Sequence, residues 1–287
     1  MAHRQMTRLE AVAKMSLQVA RRCVSSYGCV TSRKDFTQPQ LIACLVLRAV
    51  SKNDYRGVCE LLTLSPTLRR ALGLEKVPHW TTLQKFMAKS HVPQIIDAMI
   101  GQVIAEVGWT DRPTPVAVDS TGLQNGLASL HYQTRRFGGV KTARKSVKVS
   151  VAVLCGVLLP AALVVDLGAS PDMKQMPALM AQIEATSTPS WLLADAGYDA
   201  EWVHERCREQ WNAESAIRAI PRTRDGTIKT RWRALMRELP AVYGLRWHAE
   251  SFFSGMKRTT LATLSSRTER TLLTEAAMKV LAYAIRR

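Results

Sequence analysis

Aromatic side chains are scarce in this chain, 6% of 287 residues, and acids are outnumbered, with 23 Asp and Glu against 40 Lys and Arg. The six cysteines (Cys23, Cys29, Cys44, Cys59, Cys155 and Cys207) form no C-x-x-C pattern and lack nearby His partners. That argues against both a zinc site and a disulfide framework, and leaves free thiols in a reducing compartment as the expectation. The first fifteen residues hold no apolar run of signal-peptide length. One stretch, Val149 to Val165, is uncharged and nearly apolar, but it is short for a membrane span and Gly156 and Pro160 interrupt it. It reads as two buried strands joined by a turn. A soluble, cytoplasmic protein without a membrane partner is expected.

What is present is more telling. An apolar content of 47% suffices for a buried core, in one or two domains. The net charge of +17 and a pI near 10.1 argue for a polyanionic partner, most commonly nucleic acid. The basic excess is spread over both halves of the chain, so a nucleic-acid surface is expected to cross any domain boundary.

The first 110 or so residues predict helices. LIACLVLRAV (41–50), YRGVCELL (55–62) and VPQIIDAMIGQVIAEV (92–107) place apolar residues three and four apart, and Ser65-Pro66, Gly73 and Pro78 punctuate them. After the two prolines of WTDRPTP (109–115) the texture changes. VAVDSTGL (116–123) is β-prone, 147–167 reads as a hairpin, and 171–183 as a helix. WLLADAGYD (191–199) is a strand ending in acids, 201–211 a helix, SAIRAIPR (215–222) a strand, and 243–287 helical again. The pattern predicts an all-helical domain over 1–110, with possible DNA-binding, and an α/β domain over 111–287 built on a mixed sheet.

Two acids stand where a metal could use them. Asp119 follows the strand VAV ahead of Ser120-Thr121-Gly122, expected to be a turn, and Asp195 closes WLLA. In open α/β sheets ligands collect beyond the carboxyl ends of parallel strands, where such acids can converge. A close carboxylate pair repels unless a cation neutralises it, and oxygen donors suit Mg²⁺ or Mn²⁺. The plainer alternative is that each Asp only caps the turn that follows it. A third element is YGLRWHAESFFSGMKR (243–258). On one α-helix, the spacing of Tyr243, Arg246, Glu250 and Lys257 would bring all four near one face. The acid suits a metal, the cations a phosphodiester, and the phenol a phosphate or base. The alternative is an exposed face with an ordinary Arg246–Glu250 pair, and with Trp247, Phe252, Phe253 and Met256 as its core side.

These residues together resemble bacterial insertion-sequence DDE transposases. Tyr243-x2-Arg246-x3-Glu250-x6-Lys257 is similar to their Tyr-Arg-Glu-Lys signature, VDSTG to their first acidic motif and LLADAGYD to their second, in the required order over about 112–287. The resemblance implies an RNase-H-like fold with a five-stranded mixed sheet flanked by helices. It assigns Asp119, Asp195 and Glu250 as a catalytic, metal-binding triad for two Mg²⁺ or Mn²⁺ ions, with no small-molecule cofactor. It also implies cleavage at element ends and transfer of the 3′-OH into target DNA. The implied partners are terminal inverted repeats, target DNA and a second copy of the chain, in the nucleoid. A metal-dependent nuclease of the same fold and a non-catalytic DNA-binding derivative are the alternatives.

Other basic positions fit DNA contact. Tyr243, Arg246, Lys257 and Arg258 are candidates on the 243–258 segment. Arg231 and Arg233 belong to a run from Arg218 to Arg237 that holds seven cations and the single acid Asp225. A second cluster joins Arg135, Arg136, Lys141, Arg144, Lys145 and Lys148. VPHWTTLQKF has a helix-turn-helix flavour, in which Thr81 or Thr82 would cap a helix bearing Gln84 and Lys85. His131, His204 and His248 lack metal-ligand spacing.

Overall fold

A computed structural model describes residues 5–125 and 146–287. They form two compact units. One gathers residues up to 103, 124–125 and 256–287; the other gathers 104–123 and 146–255.

The first unit is helical. Helix α1 (Arg8–Cys23) opens with a capping box in which Thr7 and Glu10 satisfy each other's backbone N–H, and Thr37 with Gln40 repeats the device for α2 (Gln38–Val50). Ile42 to Leu47 are all fully buried, so α2 is apolar around its whole circumference and forms the centre of the unit. Helices α3 (Tyr55–Leu64) and α4 (Pro66–Ala71) are capped by Asp54 and Ser65, and α6 spans Val92–Glu106. Helix α5 (Trp80–Met87) is capped by His79, whose ring accepts from Thr81 N, and not by Thr81 or Thr82 as expected. Gln84 and Lys85 do face solvent on it. The C-terminal helix, Glu269–Arg286, packs on α1, α2 and α5, although a division at residue 110 would assign it elsewhere. Its buried Glu275 accepts from Ser265 N and Ser266 N, and its buried Lys279 donates to Leu261 O at 3.2 Å.

The second unit is built on the sheet. Strands β1 (Thr114–Asn125), β2 (Ser146–Leu154), β3 (Leu159–Leu167), β4 (Pro189–Ala194) and β5 (Glu214–Ile217) lie in the order β3-β2-β1-β4-β5. β2 and β3 form the expected hairpin; Gly156 (φ +92°) and Leu158 (φ +56°) supply the left-handed backbone of its turn. Pro160 is tolerated because β3 is an edge strand. Cys155 N, just past β2, donates to Pro115 O near the start of β1, so β2 runs antiparallel to β1. β4 is parallel to β1, and β5 to β4. The expected mixed α/β sheet is present; the last two residues of β1, Gln124 and Asn125, belong to the first unit and pair there with a sixth short strand, β6 (Thr263–Leu264). Two residues carry too little periodicity to be read from sequence.

Val116, Val118, Leu192 and Ala194 lie in one core with Leu179, Met180 and Ile183 of α7 (Met176–Thr186) and Val203 and Cys207 of α8 (Glu201–Gln210). Strand alternation then turns Ala117, Asp119, Leu193 and Asp195 to the opposite face. A 3₁₀ segment, Ala241–Arg246, packs on β4 and β5. No helix among the described residues is long and apolar enough to cross a membrane.

Candidate active site

β1 and β4 pair in parallel up to Val118 opposite Ala194. Asp119 and Asp195 are the next residue on each strand. Neighbouring parallel strands run about 4.8 Å apart with opposite residues on the same face, so the two acids stand side by side. Here the structure corrects an expectation: β1 does not turn after Asp119 but continues to Asn125, leaving Asp119 half-buried within a strand. Asp195 does end its strand, and its Oδ1 accepts from Gly197 N at 2.9 Å to start the 3₁₀ turn Ala196–Tyr198. The capping role weighed from sequence therefore exists beside any metal role. Gly197 has a steric reason: a Cβ there would lie 3.0 Å from Asp195 Oδ1 and 3.2 Å from Asp172 Oδ2.

Burial pushes the Asp119 carboxyl above the ordinary aspartate range. The Ser120 N–H and Arg246 pull it down, and the charges of Asp195 and Glu250 push it up. Asp119 thus lies within electrostatic reach of both other candidate acids and of Arg246. Glu250 is exposed and accepts from Arg246 Nη2 at 2.7 Å, so the i,i+4 pair weighed from sequence is also present. Among the described residues no group of three metal-ligating side chains stands close enough to hold an ion.

The 243–258 segment is not one α-helix. Tyr243 and Arg246 lie on the 3₁₀ segment behind Pro240, and α9 (Trp247–Thr260) begins only at Trp247. Short 3₁₀ turns are frequent at helix starts. Glu250 and Lys257 keep their two-turn spacing on α9, and Arg258 is exposed. Trp247, expected in the core, is 52% exposed and stacks on His248 with centroids 4.0 Å apart. Phe252, Phe253 and Met256 are buried as expected.

The basic run 218–237 divides. Arg233 is buried and gives Nε and Nη2 to Asp199 at 2.7 and 2.6 Å, so this candidate DNA contact is committed internally. Hydrogen bonds from Arg233 and Ile220 N, against the cost of burial, hold Asp199 below the usual carboxylate range. Arg231 is exposed, with its guanidinium 4.2 Å from the Trp232 ring centre, and Arg208 lies 4.6 Å from the same ring. Of the other cluster only Lys148 is described; Arg135, Arg136, Lys141, Arg144 and Lys145, with His131, lie outside the described residues. His204 is fully buried and its pKa is lowered to about 4, chiefly by burial.

Sequence reasoning passed over one residue. Asp172 Oδ1 accepts from Ser120 Oγ at 2.8 Å and Tyr198 Oη at 3.3 Å, and pairs with Lys148 Nζ at 2.6 Å. Burial works against its charge, yet Lys148 and Ser120 keep its carboxyl below the usual range. The available signal was positional: an acid soon after β3, as Asp195 stands after β4.

A mixed sheet flanked by helices, with Asp119 and Asp195 following paired positions of two neighbouring strands, defines an α/β domain. Residues 111–285 match the family model described as a transposase DDE domain, and the chain belongs to that family. No curated protein matches it.

Proposed function

We propose that the chain is a transposase that cuts DNA at the ends of its element and joins the freed 3′-OH to target DNA. Asp119, Asp195 and Glu250 are its acidic triad. The observation that carries the reading is the register of β1 and β4, in which Asp119 and Asp195 follow the paired Val118 and Ala194. A half-buried Asp119 carboxylate pushed towards protonation by burial, and further by the charges of Asp195 and Glu250, is a group whose charge a divalent cation would relieve. All-oxygen donors fit Mg²⁺ or Mn²⁺. Two such ions, when bound, polarise the phosphodiester and stabilise the attacking and leaving oxygens. The chain's own part is to hold and orient: the acids fix the cations, and Arg246 sits ready to exchange its Glu250 partner for a phosphate oxygen. The nucleophiles are water and then the DNA 3′-OH, so no side-chain nucleophile is required. Tyr243, Lys257, Arg258 and Arg231 bind DNA in this reading, the partners are terminal inverted repeats and target DNA, and a dimer brings two ends together.

Glu250→Gln tests it. The change keeps shape and hydrogen-bonding capacity and removes the charge. Cleavage of DNA carrying the element's ends should be abolished while binding stays near normal. An exposed i,i+4 pair is worth only about 0.3–0.5 kcal/mol, so Tm should barely move. An active Glu250→Gln protein would end the mechanism. Transfer of a labelled 3′ end into a second duplex separates a transposase from a nuclease.

A further inference from the structure

We propose that Asp172 is a positioning residue for the metal-binding pair, locking Asp119 and Asp195 in place through Ser120 and Tyr198. The inference rests on the reading of Asp119 and Asp195 as metal ligands. Three donors converge on one oxygen of Asp172: Ser120 Oγ at 2.8 Å, Lys148 Nζ at 2.6 Å and Tyr198 Oη at 3.3 Å. Each of the first and last belongs to the backbone that carries a ligand. Ser120 is the neighbour of Asp119, and its N–H donates to Asp119 Oδ1 at 2.8 Å. Tyr198 ends the turn whose Gly197 N–H donates to Asp195 Oδ1 at 2.9 Å, and its ring is fully buried in the core. Lys148 of β2 also donates to Ser170 O, which fixes the loop that presents Asp172. One carboxylate therefore ties β1, β2, the loop after β3 and the turn after β4 together at the end of the sheet where the acids stand.

Such a tie has a purpose there. Two adjacent carboxylates repel, and unless the backbone under each is fixed they relax apart and lose the spacing a cation needs. The other oxygen of Asp172 faces Gly197, where an added Cβ would lie 3.2 Å from it and 3.0 Å from Asp195 Oδ1. Asp172 thus borders Asp195 across a glycine, close enough to set its position. Partners one shell out from a metal typically change affinity by about 10–100-fold when removed.

The experiment measures Mn²⁺ binding to the full chain without DNA, from the electron spin resonance signal of free Mn²⁺, alongside metal-free Tm. Asp172→Ala should weaken Mn²⁺ binding about tenfold or more with the number of ions unchanged. Asp172→Asn should recover part of the loss, because its carbonyl still accepts from Ser120 and Tyr198. Ser120→Ala, the gentler variant should Asp172→Ala not fold, should weaken binding a few-fold. The Mn²⁺ concentration giving half-maximal cleavage should rise in parallel. Unchanged Mn²⁺ affinity in these variants overturns the proposal, as does a drop in the number of ions, which would make Asp172 a ligand. Asp119→Asn is the control: if it binds Mn²⁺ like the unaltered chain, the metal reading itself fails and takes the proposal with it. If only Asp119→Asn loses binding, the metal reading stands and Asp172 is merely structural.

Discussion

Burying one carboxylate beside two others runs against stability, and Asp119 carries that cost within a strand. Its folded-state carboxyl titrates above the ordinary 3.8, so the fold disfavours its charged form relative to the unfolded chain. The stability this gives is present below the ordinary value and is lost as pH rises through the raised one. Asp119→Asn removes the loss. In metal-free solution the variant should melt above the unaltered chain at about pH 7, and the difference should vanish at about pH 3, where both side chains are neutral. Equal Tm values at both pH values would show that Asp119 is not under electrostatic stress. A higher Tm for Asp119→Asn would show that this carboxylate does not serve stability, which is what the metal reading expects.

The elements show what could be read from sequence and what could not. Helices α2, α3 and α6, the β2–β3 hairpin and β4 were legible because each has a full period of apolar residues and distinct stops. Asp195 was legible as a strand-ending acid for the same reason. Ser120-Thr121-Gly122 suggests a turn after Asp119, yet β1 continues and pairs with β6, a contact no local pattern reveals. The 243–258 spacing was legible as a set of residues but not as a shape. Pro240 and Gly244 favour a tight 3₁₀ start, and this moves Trp247 out to solvent. Phe252→Ala should cost about 3–5 kcal/mol, since its ring is fully buried, whereas Trp247→Ala should lower chemical-denaturation stability far less. Equal losses would put Trp247 back in the core.

Across the whole molecule, an excess of +17 makes any DNA complex strongly salt-dependent, because each neutralised phosphate releases bound cations. Net charge does not say which cations take part; burial does. The Asp172 cluster and the Arg233–Asp199 pair are not legible in the sequence because their partners are distant along the chain. The run 218–237 tests the distinction. Arg231 is exposed beside Trp232, while Arg233 is buried on Asp199, and Glu201 accepts from the backbone N–H of both Trp232 and Arg233. Arg231→Ala should leave Tm near normal and reduce the slope of log K against log salt by up to about one unit. Arg233→Ala should do the reverse. It removes the main partner of the buried Asp199 carboxylate, leaving Ile220 N and the exposed Arg222, and should lower Tm with little change of slope while the chain remains folded. The measurements are DNA affinity from low to moderate salt and thermal unfolding of both variants. A lower slope for Arg233→Ala with unchanged Tm would return that arginine to the DNA surface. An unchanged slope for Arg231→Ala would remove the exposed edge of this segment from it.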